Sequence, residues 1–217
     1  MQRADHVYAD LKELIVGYEF QPGESLSEKA LAELFEVSRT PVREAFQRLS
    51  REGLVPLVPG RGAFVAEISL PDIVELYQMR EALEPQAARL AAGRGNDVRI
   101  QSLIDELGSA EVLITGDVGA YYDLSARIDE TISILAGNAR MTRALGEIWT
   151  QVRRARRVAS TSTPRLLASV DEHRAILAAI AQGDGGVAFV TTVRHVQTSL
   201  SHLLFVSGGH EPPSEGA

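Results

Sequence analysis

Apolar positions along the first 52 residues recur every three or four, the period of a helix that buries one side. Val7, Leu11, Leu14, Ile15 and Tyr18 predict a first helix over 4–18, which Gln21-Pro22-Gly23 ends as a turn. Leu31, Leu34 and Phe35 predict a second over 27–35. Ser27 can cap it, or Ser25 with Glu28 can form a capping box. After the break Glu36-Val37-Ser38, a third helix runs to Glu52. Ser38 or Thr40 can cap it, and Pro41 fits its first turn, where no amide hydrogen is missed. Gly53 is placed to stop it. Leu54–Val58 and Ala63–Glu67 read as two short strands around Pro59-Gly60-Arg61-Gly62. From Ser69 onward no segment reads as strand. Ile73, Leu76, Tyr77, Leu83 and Leu90 form the apolar side of one long helix, broken at Gly93-Arg94-Gly95-Asn96. Further helices follow near 97–114, 118–136, 139–159, 165–182 and 185–206.

The predicted architecture is therefore mainly α. A winged helix-turn-helix domain of three helices and a two-stranded wing spans 1–68. An all-α six-helix bundle spans 69–206, and Ser69-Leu70-Pro71 is the joint. The Gly/Pro/Glu-rich stretch 207–217 reads as a disordered tail.

Composition adds exclusions. Among 217 residues there is no cysteine, so there is no disulfide framework, thiolate zinc site or cysteine nucleophile. Aromatics at 6% are too sparse for a surface that stacks on single-stranded nucleic acid. The N-terminus lacks an apolar signal core, and the longest apolar run, Ala175–Ala181, is far short of a membrane span. Those features predict a cytoplasmic protein. The net charge of −7 is hostile to a protein that coats nucleic acid. Its distribution changes that reading: residues 1–37 carry −5, residues 38–64 carry +3, and the rest carries −5.

The basic strip coincides with the third helix and the wing. Arg39 and Arg43 stand four apart, so they share one face at the N-terminal end of that helix. Helix-turn-helix proteins present that end to base edges in the major groove, and an arginine fork matches guanine O6 and N7. Ser38 and Thr40 add hydroxyls, and free amides at a helix start suit a phosphate. Arg61 places charge on the wing. The bland alternative is an exposed helix with ordinary solvated arginines.

The run Val37-Ser38-Arg39-Thr40-Pro41-Val42-Arg43-Glu44-Ala45, then Glu52-Gly53-Leu54-Val55 and Gly60-Arg61-Gly62, closely resembles the GntR family of bacterial transcription regulators. Upstream, Pro22-Gly23-Glu24, Leu26-Ser27-Glu28 and Leu31-Ala32 match too. The resemblance implies operator contacts from Lys29, Ser38, Arg39, Thr40 and Arg43, with Gly60 at a wing tip that approaches the minor groove. Two positions depart from the pattern. Glu36 occupies a turn where the family usually has Gly, and Phe46 replaces a more usual Leu.

Residues 70–206 resemble, more loosely, the FCD effector domain of FadR-type members, through Leu76-Tyr77, Arg80, Leu83-Glu84, Leu135-Ala136-Gly137-Asn138, Glu172-His173-Arg174 and His195. Six helices fit the shorter, VanR-like version. Such domains often hold a divalent metal on one aspartate and three histidines. The resemblance puts Ser125 where the aspartate is expected and Asp129 where the first histidine is expected. His173 and His195 match the other two. A site for Zn, Ni or Mn on Asp129, His173 and His195 plus water is chemically possible. The preferred reading is a pocket without metal, in which the histidines donate hydrogen bonds to an effector. Arg80 either pairs with Glu84, one turn on, or binds the carboxylate of a small organic acid. Trp149 reads as core, and Arg153-Arg154-Ala155-Arg156-Arg157 as a solvated helix end.

The sequence thus predicts an effector-responsive transcription regulator, a repressor that binds a palindromic double-stranded operator as a homodimer, with no membrane partner. A metal-dependent hydrolase or lyase using Asp129, His173 and His195 is the alternative. It lacks a clear general base and leaves the winged domain unexplained.

Overall fold

The computed structural model describes residues 2–95, 97–158 and 162–207. Most of the predicted tail lies outside them. The chain divides into two units, Met1–Ser69 with Arg153–Arg157, and Leu70–Val152 with Val158–Ala217.

In the first unit, α1 (Gln2–Val16), α2 (Glu28–Leu34) and α3 (Arg39–Arg51) surround a small core. Val7, Leu11, Ile15, Leu31, Val42, Ala45, Phe46 and Leu49 fill it, from the apolar sides set by helical spacing. The first helix stops two residues early, because Tyr18 turns left-handed at φ 65°. Ser27, rather than Ser25, caps α2: its Oγ accepts from Ala30 N at 3.3 Å. Ser25 is taken by a strand instead. Glu36 adopts φ 53°, the left-handed conformation expected where relatives of the motif carry Gly.

The wing is three-stranded, not two-stranded. β1 (Ser25–Leu26), β2 (Leu57–Val58) and β3 (Gly62–Phe64) stand in the order β1-β3-β2, both pairings antiparallel. Leu26 faces Ala63 from one side and Leu57 faces it from the other. The strands are shorter than predicted because Leu54 and Val55 are drawn into the core, their amides donating to Leu49 O.

The second unit contains seven helices among the described residues: α4 (Leu70–Ala92), α5 (Val98–Leu107), α6 (Ala110–Gly116), α7 (Val118–Leu135), α8 (Ala139–Val158), α9 (Thr163–Ala181) and α10 (Gly185–Ser207). The six-helix expectation, on which the VanR-like comparison rested, is corrected to seven. The single helix expected over 97–114 is divided at Gly108-Ser109. Asp97 and Asp117 cap α5 and α7 through their carboxylates. α4 packs on α7, α9 and α10, with Ala87, Ala88, Ala91 and Ala92 allowing close approach. No helix of the described residues is long and apolar enough to cross a membrane.

Candidate nucleic-acid interface and effector cavity

The first candidate site is the outer end of α3. Val42, Ala45, Phe46 and Leu49 bury one side of this helix, which leaves Ser38, Arg39, Thr40 and Arg43 exposed at its start. Ser38 occupies the N-cap position but makes no side-chain cap bond, so its hydroxyl is not spent on the helix. An anion meeting this end finds hydroxyls, unpaired first-turn amides and guanidinium groups together. Lys29 is exposed on α2, 3.9 Å from Glu33. Gly60 and Gly62 have φ of 75° and 97°, and a Cβ on either would meet no atom within 4 Å. Their glycines serve the turn, not the packing. Arg61 is exposed beside them, its guanidinium 5.4 Å from the Phe64 ring centre.

The arginines of the basic strip are not equivalent. Arg48 lies 3.7 Å over the Tyr8 ring and bonds Asp5 at 2.7 Å, so it ties α3 to α1. Arg43 donates from Nε to both oxygens of Glu28, at 2.9 and 2.8 Å. Among the described residues Arg39 has no carboxylate within ion-pair distance. The pairings of Arg43 and Arg48 span 15 and 43 residues, so local spacing carries no sign of them.

The second candidate site is a small, partly open cavity in the helical unit. It collects residues from five helices: Glu84 from α4, Asp129 from α7, Trp149 from α8, His173 from α9, and Thr192 and His195 from α10. Ala87, Ile132, Leu145 and Ile176 supply apolar wall. Asp129, His173 and His195 therefore do share one site. The two imidazoles are buried, with ring centres 4.6 Å apart and planes tilted by 45°. His195 Nδ1 lies 2.6 Å from Glu172 Oε2, and Arg165 grips the same carboxylate at 2.9 and 2.8 Å. That chain fixes the orientation of the His195 ring.

Ser125 is buried on α7 and is not among the residues that wall the cavity. Among the described residues, no set of three or more His, Asp and Glu is arranged to hold a metal ion. Ser125 occupies the position of the expected aspartate, and a carboxylate on Nδ1, as Glu172 is on His195, is the arrangement that orients Nε2 when an imidazole ligates a metal.

Arg80 is fully buried and lies behind the cavity wall rather than on it. Its Nε and Nη2 donate to Glu84 at 2.7 and 3.0 Å, and its guanidinium sits 4.7 Å from the Tyr77 ring centre. Trp149 Nε1 donates to Glu84 Oε1 at 2.7 Å, so the indole is a cavity wall with a polar anchor, not plain core. Burial alone pushes the Glu84 carboxyl up. The Arg80 charge, with the bonds from Arg80 and Trp149, outweighs it and holds the group below the usual carboxylate range. Burial pulls Arg80 down, and the Glu84 charge more than compensates. Of the two partners weighed from sequence for Arg80, the structure shows Glu84. His202 stands outside the cavity lining.

Two family models match the chain. "Bacterial regulatory proteins, gntR family" covers residues 3–65, and "FCD domain" covers residues 75–198. The chain is 31% identical to the Nta operon transcriptional regulator of Aminobacter aminovorans, over 90% of this chain and 92% of that one. It is 28% identical to the HTH-type transcriptional repressor RspR of Escherichia coli (strain K12), over 88% and 84%. Among solved structures it is similar to E. coli McbR/YncC, with a TM-score of 0.80, 21% identity and coverage of 94% and 97%. A GntR regulator from Rhodococcus sp. RHA1 gives 0.79, 23%, 97% and 100%.

Proposed function

The chain belongs to the GntR family of bacterial regulatory proteins and is a DNA-binding transcription regulator with an effector-binding FCD domain, not an enzyme; from that premise we propose that it acts in the cytoplasm as a homodimeric repressor, released from a palindromic operator by a small organic acid in the FCD cavity. The observation that carries the DNA half is the exposed cluster Ser38, Arg39, Thr40 and Arg43 at an uncapped helix start. Lys29, Gly60 and Arg61 flank it on the second helix and the wing. One such helix reads a half-site, and a two-fold pair of chains reads both halves.

The effector half rests on the cavity. Arg80 is held by Glu84 through Nε and Nη2 and does not line the cavity, so His173 and His195 are the groups placed to donate to a carboxylate. An effector changes operator affinity only by binding two states of the protein unequally. A tenfold change in operator affinity needs about 1.4 kcal/mol of such difference.

The test begins with DNA duplexes selected by the protein from a random pool. Operator affinity falls steeply between low and moderate salt, and Arg39→Ala with Arg43→Ala abolishes selection while the melting temperature holds. Retention of the same site with the same selectivity by the double variant would refute this assignment. Calorimetric titration with a panel of small carboxylic acids then tests the cavity. Heat that survives in His173→Ala with His195→Ala argues against the imidazole grip.

A further inference from the structure

We propose that Glu28 is a positioning residue for DNA reading: it pre-sets Arg43 so that one edge of the guanidinium is presented to a guanine. This rests on the DNA-binding reading above and adds a residue with a charge that DNA should repel.

The geometry is specific. Glu28 is the first residue of α2, and Arg43 is the fifth of α3. Both hydrogen bonds leave Arg43 from Nε, to Oε1 at 2.9 Å and Oε2 at 2.8 Å. Arginine carries five N–H donors in a rigid fork. A carboxylate on Nε therefore consumes one donor and leaves the Nη1–Nη2 edge with its four. That edge matches guanine O6 and N7 in the major groove. The Arg43 side chain is 62% exposed, while Glu28 is 33% exposed, so the fork stays accessible while its anchor is half sheltered. The anchor is itself anchored: Ser27 caps α2 immediately before Glu28, and α2 packs on α3.

Fold stability does not explain this pair, because exposed ion pairs contribute little to it. Nor does attraction to DNA, since Glu28 is an anion at a phosphate-facing surface and weakens binding to any duplex. An arrangement that weakens binding everywhere but pre-orients one donor trades affinity for discrimination. Arg43 is otherwise a long side chain with much rotamer freedom to lose on meeting a base. Arg39, with no carboxylate nearby among the described residues, keeps that freedom.

The experiment uses the full chain and the operator that the wild type selects from a random duplex pool. Affinities are measured for that operator and for a set in which each guanine in turn is replaced by 7-deazaguanine, which lacks the N7 acceptor. Arg43→Ala identifies its guanine as the position where replacement no longer matters. Glu28→Ala is expected to lose about tenfold of the discrimination at that same guanine, within the range of a bidentate arginine–guanine pair. It should keep the preferences at the other positions and bind unrelated duplex more tightly than the wild type. Glu28→Gln, whose amide oxygen can still accept from Nε, should recover part of the discrimination while keeping the tighter unrelated binding. Adding Glu28→Ala to Arg43→Ala should change that position no further. The proposal is overturned if Glu28→Ala keeps full discrimination there, or if it alters every position alike. A wild type that selects no sequence would overturn the DNA-binding reading itself, and a wild type that selects one while Glu28→Ala discriminates normally overturns only this proposal.

Discussion

Arg80 and Glu84 place two full charges inside the helical unit, four residues apart on α4, with the Trp149 indole as third partner. Such a pair is costly to form and costlier to break singly, because the survivor is left charged without a counter-ion. Glu84→Gln is expected to lose about 3 kcal/mol in urea unfolding, and Arg80→Met with Glu84→Met much less. The pair also sets a pH dependence. Glu84 lies below its unfolded carboxylate value of about 4.3, so its stabilisation is complete above that pH and is lost as pH falls through its folded value. Wild-type stability should therefore fall more steeply than that of Glu84→Gln below about pH 4. At this scale the sequence is half readable. Arg80 and Glu84 stand one helical turn apart, so their partnership is open to a spacing argument. Trp149 with Glu84, Arg43 with Glu28 and Arg48 with Tyr8 are joined only by helix packing across 15 to 65 residues.

Short elements and breaks hid from the pattern more than long helices did. Ile100, Leu103, Leu107, Ala110 and Ile114 are all buried and stay in helical phase across Gly108-Ser109. Periodicity therefore reports one helix where the backbone makes two, α5 and α6. The strand β1 is two residues long, too short for alternation to register, and it pairs with β3 some 38 positions on. The turn between α2 and α3 was readable, because motif comparison marks Glu36 as standing where Gly is usual and the backbone there is left-handed. Glu36→Gly should accordingly stabilise the protein by about 1 kcal/mol, seen as a higher melting temperature, with operator selection unchanged.

For the whole molecule, membership of the family was readable because its signature is nearly contiguous over residues 3–65. The cavity was readable only as separate candidates. Its wall draws on five helices, and which of Asp129, Arg80, His173 and His195 actually meet there is decided by packing. Asp129, His173 and His195 do; Arg80 does not. The proposed assembly has a direct measure. Sedimentation equilibrium should give about twice the chain mass of 23.5 kDa, and one dimer should bind per palindrome. A single chain mass at concentrations where operator is bound would refute the two-fold reading.

Trp149 is the only tryptophan in the chain, and its indole N–H is tethered to a buried carboxylate on the wall of the cavity. The protein therefore carries one indole beside five tyrosines, free of spectral overlap from other indoles. Emission excited at the red edge of the band, where tyrosine does not absorb, reports on the surroundings of this one side chain, so candidate small molecules can be screened in solution without labels, and a shift in that spectrum points to one wall of the cavity.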